Sequence, residues 1–405
     1  MRPGRLVAAG VAVAVVVGAA VVSAVRVTAP PPPPQVRVDV PATYVPVAGP
    51  PPPVQQPPQG SLALQGLGQD IALLHADLPR PIASVAKTMT ALVVLQQHPL
   101  HDAGDPGPVL TMTDVDVADW HATLAEDGSS LPVVAGERLS ERDLLLGLLL
   151  PSANNFADTL GRWTSGSVAA FVAALNRTAA ALGMSQTHFA DPSGFDPHTV
   201  STASDLVRLG RAVLDVPVLL GLVGTQHAAL PDGTQLDNLD ALLATEPGWL
   251  GIKTGETPQA GGCLLFAARR DVGDGAMVTL VGAVLGQTDL HAALDAARTA
   301  VRTGFAGYGA VHPGGAPALD GMVSTRWGAQ SGVHVASYGG VAVPVRMGTL
   351  LTLSSRVLLV PAGASAGRRV AVVSGAAPSG LRVSWDVLLD QDLPRPSPWW
   401  MLFQS

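Results

Sequence analysis

Residues Leu6 to Val25 form a run of twenty residues without a single charge, preceded by Arg2 and Arg5 and closed by Arg26. Wound as a helix rising about 1.5 Å per residue, the run reaches roughly 30 Å, the thickness of a bilayer's hydrocarbon core. No other stretch limits the chain so strongly, because an apolar cylinder of that length needs a membrane or removal. Basic residues ahead of the run favour an N-terminus held inside, with everything after it exported. Val22, Ser23 and Ala24 supply the small residues of a cleavage site, so a removed signal peptide is the alternative reading. The length of the run favours the anchor. Residues 1–28 therefore read as a membrane anchor or signal peptide, and the working part as extracytoplasmic, membrane-anchored or secreted.

The next segment is dominated by proline, with Pro30–Pro34 and Pro50–Pro53 as its densest blocks. Such a composition predicts an extended, semi-rigid spacer over residues 29–60. Texture changes again at residue 61. Helical patterning falls on Ser84–Gln97, Ser140–Leu150 (opened by Ser140 and Asp143 as a capping box), Ser167–Leu182, Ser204–Leu214 and Asp289–Arg302. Strand patterning falls on Leu250–Thr254, Gly262–Ala268 and Met277–Leu285, the last two joined by a turn at Asp271–Gly275. Residues 61–310 are thus expected to form a mixed α/β domain, a sheet flanked by helices with a helical subdomain. Short valine-rich runs, Val333–Ser337, Val341–Val345, Leu350–Leu353 and Val370–Val373, then predict a small all-β domain over 311–390. The aromatic tail, 391–405, is expected either to pack on that domain or to touch a membrane or partner.

Composition removes several function classes. A net charge of −7 and a pI near 5.7 exclude a general nucleic-acid binder. One cysteine, Cys263, permits neither an intrachain disulfide nor a cysteine-cluster zinc site. The ten histidines include no His-Glu-x-x-His pair, so no metal and no cofactor is expected. Cys263 itself reads as a small buried side chain rather than a reactive thiol.

The cationic residues carry the sharper signal. Of 24 lysines and arginines only two are lysine, Lys87 and Lys253. Arginine serves wherever a permanent charge suffices, but it does not release its proton in proteins, whereas a lysine amine can. Lys87 comes three residues after Ser84, which on a helix places both on one face. A serine in a first helical turn lies among unpaired N–H groups that steady negative charge, and a nearby neutral amine can take its proton. Lys253 lies in Gly251-Ile252-Lys253-Thr254-Gly255, and between the two lysines sits the polar loop Pro151-Ser152-Ala153-Asn154-Asn155.

Ser-x-x-Lys, Ser-x-Asn and Lys-Thr-Gly in that order form the signature of serine penicillin-recognising enzymes. The chain resembles the D-alanyl-D-alanine carboxypeptidases, the low-molecular-mass penicillin-binding proteins. Beyond the three boxes the resemblance is carried by Ile82–Ala91, Asp127–Ser130 with Gly136–Leu145, Leu182–Met184, Thr187–Phe189, Asp191–Gly194 and Ser201–Asp205. It implies a β-lactamase/transpeptidase-like α/β fold. It also implies Ser84 as nucleophile, Lys87 as its base and Ser152 as a proton relay. Asn154, Lys253, Thr254 and Gly255 would bind substrate, and the backbone N–H groups of Ser84 and Glu256 would form the oxyanion hole. The implied substrates are peptidoglycan stem peptides ending in D-Ala-D-Ala, with β-lactams as covalent inhibitors.

Two positions depart from the family's pattern. Glu256 stands where an aromatic residue or histidine usually comes after Lys-Thr-Gly, and the place of a carboxylate-binding arginine, counted from Leu285 and Gly286, falls on Ala293. His198 reads as loop structure or as a residue beside the site. A class A β-lactamase would need a glutamate after the second box, and none occurs between Glu141 and Glu246. A D,D-endopeptidase of the same family and a non-catalytic β-lactam-binding wall protein remain as alternatives.

Overall fold

A computed structural model describes residues 3–311, 315–336 and 342–403, with side chains from residue 10. Arg2 and the ends Ser337 and Val341 of two expected strands lie outside the described residues. The chain divides into two compact units, residues 50–309 and residues 1–49 with 310–405.

Residues 50–309 are built around a five-stranded antiparallel sheet. Its order is Trp249–Thr257, Gly261–Asp271, Met277–Gln287, Ser61–Gly66 and Gln69–Leu74, so the strand bearing Lys253 lies at an edge. Alternation along the central strands decides which face each residue covers. Leu264, Phe266 and Leu280 pack on one face against Ala293, Ala297 and Val301 of the helix Leu290–Phe305. Cys263, Leu265, Ala267 and Val281 face the other way, into a core shared with the helical cluster. Both faces are apolar, which is why these strands read as near-continuous hydrophobic runs.

Four helices of that cluster position the site: Lys87–Gln97, Asn154–Ser165, Glu141–Leu149 and Ala203–Leu214. The expected capping box is present, with Ser140 Oγ accepting from Asp143 N at 3.1 Å and Ser140 N donating back to Asp143 Oδ2 at 3.0 Å. A helix at Asp114–Ala125 has no counterpart in the sequence reading. Its Asp116 accepts from Thr159 Oγ1 and from Arg162, both on Asn154–Ser165, at 2.7 Å each. That charge-assisted pairing brings the C-terminal lip of the unforeseen helix beside Asn154.

The other unit contains a seven-stranded antiparallel sheet with strands Gln35–Asp39 and Thr43–Tyr44 at its two ends. Those two strands are separated by only three residues, a reach of roughly 14 Å at full extension. The sheet therefore has to curl until its edges approach each other. Trp385, Val373, Val387 and Leu351 fill the interior. Within the proline-rich stretch, Gln35–Asp39 and Thr43–Tyr44 form both edges of this sheet, and in the first unit Gln55 N donates to Thr303 Oγ1 at 3.0 Å. Neither strand contains a proline, so every residue of both keeps its backbone N–H. In the tail, helix Pro398–Phe403 buries Met401 and sets Trp400 edge-on to Trp327, while Trp399 and Phe403 remain exposed. The helix Pro3–Thr28 is long and apolar enough over Gly10–Thr28 to cross a membrane, with none of that window buried.

Glu141 lies fully buried beside Gly107, and neither carboxylate oxygen has a hydrogen-bond partner among the described residues. Burial, with Asp105 nearby, pushes its pKa up from 4.5 to about 7. A raised carboxyl pKa destabilises the fold progressively as pH rises from 4.5, and the full cost is present above about 7, on the order of 3 kcal/mol. Glu141→Gln should therefore raise the melting temperature at pH 8 and change it little at pH 4.5. An equal shift at both values would contradict this reading.

Candidate active site

The chain enters the site through a strained turn. Arg80–Pro81 pairs with Val200–Ser201, Ile82 N donates to Thr199 O at 3.3 Å, and Ala83 takes φ +46. That backbone region is uncommon for a residue with a side chain, and its cost is sustained by the surroundings. A 3-10 turn spans Ala83–Ala86 and runs directly into the helix Lys87–Gln97. Ser84 and Lys87 thus face one another across one turn, as the sequence spacing predicts.

Two glycines hold this turn from opposite sides. A Cβ on Gly255 would stand 3.0 Å from both Ile82 O and Ser84 N and 3.1 Å from Val85 N, so only glycine lets the edge strand come this close. Gly194 has φ +76, and a Cβ there would stand 1.9 Å from Ala83 O, which no side chain permits. The role of Gly255 is thereby sharper than room for a ligand. It brings the backbone of the Lys-Thr-Gly strand against the backbone of Ser84.

Lys87 is the centre of the site's hydrogen bonding. Its Nζ donates to Ser84 Oγ at 2.7 Å, to Asn154 Oδ1 at 2.6 Å and to Ser193 O at 3.1 Å. The side chain is 0% exposed. Desolvation first, and the neighbouring Lys253 ammonium second, hold its pKa well below the ordinary 10.5, against smaller opposing effects of Asp191 and Asp158. Lys253 is also buried, and desolvation lowers it to about 7, with Asp240 opposing. Its Nζ donates to Thr254 O at 3.1 Å and Thr254 Oγ1 at 3.4 Å.

Ser152 lies at the left-handed φ of +72, and its buried Oγ has no hydrogen-bond partner among the described residues. A buried hydroxyl left open is costly, which marks it as a group awaiting a ligand or a rearrangement. Asn154 opens the helix Asn154–Ser165, its own N donating to Ser129 O at 2.8 Å. Asn155 clamps Leu131 in both directions, through Leu131 N to Oδ1 and Nδ2 to Leu131 O. Ser84, Lys87 and Asn154 therefore form one hydrogen-bonded chain. Among the described residues Ser152 and Lys253 make no hydrogen bond to it, Lys253 acting on Lys87 through its charge. Thr254 is buried and Glu256 is exposed.

Other expectations resolve plainly. Ala293 is fully buried against the sheet, so the position counted for an arginine is a core position and contributes nothing to the site. His198 is 84% exposed and contacts Asp196, a loop arrangement. Cys263 is buried, and burial pushes its thiol up to about 11, which makes it inert. Residues without an assigned role also take part. Ser193 O receives Lys87, Pro192 O accepts from Thr90 Oγ1 at 2.6 Å, and Asp191 caps the turn through Ser193 N and Phe195 N. The visible signal for them is the Asp191-Pro192-Ser193-Gly194 turn sequence.

A nucleophile beside a buried amine of lowered pKa, with glycine-mediated backbone approach, is an arrangement for acyl transfer. The family model for D-alanyl-D-alanine carboxypeptidase matches residues 67–286. The carboxypeptidase DacB2 of Mycobacterium tuberculosis is 36% identical over 209 residues, covering 50% of this chain and 67% of that protein. A D-alanyl-D-alanine endopeptidase of Pseudomonas aeruginosa is 33% identical over 238 residues, 54% of this chain and 71% of its own. Among solved structures, the Streptomyces K15 DD-transpeptidase superposes with a TM-score of 0.56 at 27% identity, over 62% of this chain and 100% of that one.

Replacing Gly255 by alanine tests the contact at the turn. Backbone atoms at 3.0 Å have to yield by a few tenths of an ångström, and a small misplacement of reacting groups lowers rate steeply. The variant should stay folded while its acylation rate by a penicillin falls about tenfold or more. An unchanged rate would show that the approach is not needed.

Proposed function

The chain belongs to the D-alanyl-D-alanine carboxypeptidase family of serine peptidases, and we propose that Ser84 carries its acyl-enzyme. Membership supplies the reaction class: serine-type hydrolysis of D-Ala-D-Ala peptides of peptidoglycan, on an α/β penicillin-binding fold open to β-lactams. The observation that carries the assignment of roles is the 2.7 Å contact between Ser84 Oγ and the fully buried Lys87 amine.

In this reading neutral Lys87 accepts the Ser84 proton as Oγ attacks the carbonyl carbon of the penultimate D-alanine. The new C–O bond forms as the carbonyl electrons move to oxygen, where the N–H groups of Ser84 and Glu256 receive the negative charge. Support comes from Gly255, whose close approach makes the two backbones neighbours. The intermediate then collapses, the C–N bond breaks, and the departing amine takes a proton by way of Ser152. The unpartnered Ser152 hydroxyl, buried within the same loop as Asn154, supports that relay. Asn154 holds Lys87 and donates to the substrate backbone, while Lys253 and Thr254 receive the terminal carboxylate. Water repeats the attack on the ester, Lys87 again taking the proton, and Ser84 is regenerated.

Only an amine that spends time neutral can act as this base, and the burial that holds Lys87 well below its ordinary 10.5 favours that state. Arginine in its place stays charged. A second reading, the endopeptidase, uses the same steps with the amine of a neighbouring stem peptide as leaving group, and the similarity to the Pseudomonas protein favours keeping it. The N-terminal apolar helix fits an anchor or a signal sequence, and we assign it to the anchor from its length.

Labelled penicillin tests these assignments together, applied to membrane and soluble fractions of cells making the full chain. One label per chain should appear, in the membrane fraction, on the Ser84 peptide, and Ser84→Ala should abolish it. Lys87→Arg should slow acylation by about 10²–10⁴, the range of general-base catalysis. A peptide ending in D-Ala-D-Ala should release D-alanine. Label elsewhere, or normal acylation in Lys87→Arg, would overturn the roles; label without D-alanine release would overturn the carboxypeptidase reading.

A further inference from the structure

The strand Gln35–Asp39 begins six residues after the helix Pro3–Thr28 ends, and five of those six are proline. A proline run covers about 3.1 Å per residue, so the seven-stranded sheet starts within roughly 20 Å of the apolar helix. Register then decides which end of the sheet this is. Gln35 pairs with Ser324, Ser324 with Gln330, Val333 with Leu389, Leu388 with Arg369, and Ala371 with Val357. These pairs lie at one rim. Ala376 and Arg382, with Ser379 in the turn between their strands, lie at the opposite rim, roughly 20 Å away along the strands.

The near rim is where apolar surface is left bare. The three most exposed large apolar side chains among the described residues are Leu359 at 81%, Phe403 at 73% and Trp399 at 71%. Leu359 follows directly on Val357, and Leu358 N still donates to Val370 O at 2.9 Å. The other two belong to the helix Pro398–Phe403, which is held to the same rim. Its Trp400 packs edge-on against Trp327, in the turn between Ser324 and Gln330, and Trp327 Nε1 donates to Pro394 O at 2.8 Å. Trp399 and Phe403, four residues apart on the helix, lie with their rings parallel and 6.0 Å between centroids.

A separate contact says what covers this face. Arg26 Nη1 donates to Leu402 O at 3.0 Å. Arg26 is the charge that closes the apolar run, so with that helix across a bilayer its guanidinium stands at the boundary between hydrocarbon and headgroups. A carbonyl hydrogen-bonded to it stands at the same depth, and the exposed rings of its helix go with it. We propose that this rim is a second membrane contact, in which Trp399 and Phe403, with Leu359, seat in the outer headgroup layer around the exit of the apolar helix. The inference rests on the assignment of that helix as an anchor. Lipid is the occupant because the patch is continuous with a segment whose own side chains face lipid, and indole rings favour this depth, apolar on one side and wet on the other. Two points of attachment hold the sheet in one orientation, where a single helix leaves it free to swivel.

The test uses the full-length protein in lipid nanodiscs containing phosphatidylglycerol and phosphatidylethanolamine. Trp399→Cys, Phe403→Cys and, at the far rim, Ser379→Cys are each labelled with an environment-sensitive fluorophore; Cys263 is buried and stays unlabelled. The two tail substitutions fall on exposed side chains and leave the packing of Met401 and Trp400 in place. Lipid bearing a nitroxide near the headgroup should remove most of the emission from the Trp399→Cys and Phe403→Cys labels and leave the Ser379→Cys label bright. Undiminished emission from both tail labels, in protein that stays in the disc, would overturn the inference and spare the anchor. Equal loss at all three positions would overturn it as well. Disulfide-linked dimers of Phe403→Cys without lipid quenching would make the patch an interface between copies instead. Recovery of a shortened chain that has lost its apolar helix and left the membrane would overturn the anchor assignment and this inference with it.

Discussion

The removal of the Lys87 amine from water shapes everything around it. An ammonium costs several kcal/mol to bury without a counter-charge, and among the described residues no carboxylate hydrogen-bonds to Lys87. The protein meets that cost by letting the group lose its proton, with Lys253 placed close enough to penalise the charged form further. The partners left to the amine are neutral: a hydroxyl, a side-chain amide and a backbone carbonyl. Three separate segments of sequence have to converge to supply them, and the helical cluster exists, from the site's point of view, to hold those segments in register.

That arrangement has a thermodynamic counterpart. A lysine whose pKa is lowered on folding binds fewer protons than it does in the unfolded chain, so stability rises with pH across the interval between the two values. For Lys253 the interval runs from about 7 to 10.5, and the destabilisation is fully present below it. Glu141 acts with the opposite sign, its cost growing from pH 4.5 to about 7. The fold therefore carries buried titratable groups of both kinds. Only the lysines lie where chemistry can use them; nothing in the structure explains why Glu141 is buried without a partner.

Much of this was legible before any coordinates. The central strands and the major helices announce themselves because both faces of the sheet are apolar and the helix starts are capped by Ser140, Ser167, Thr202 and Asp289. The three boxes stood out through the rarity of lysine. Helix Asp114–Ala125 did not, because among its residues only Asp116 is buried and its periodic signal is weak. The strands Gln35–Asp39 and Thr43–Tyr44, which contain no proline, escaped notice because the composition of the surrounding stretch describes its stiffness and not its partners. Ala293 misled for a related reason. Counting along the chain gives a position, but the face that a helical residue presents depends on where the helix starts.

The scarcity of lysine that marks the site also makes it open to direct measurement. Protein labelled with carbon-13 at the lysine ε-carbon contains two labelled side chains, Lys87 and Lys253, and the Lys87→Arg variant assigns them. Titration of both resonances measures the protonation of the amine on which the account depends. The account predicts a Lys253 midpoint near 7 and a Lys87 midpoint well below 10.5. A Lys87 resonance that keeps its protonated shift up to about pH 10, the ordinary lysine range, would contradict it.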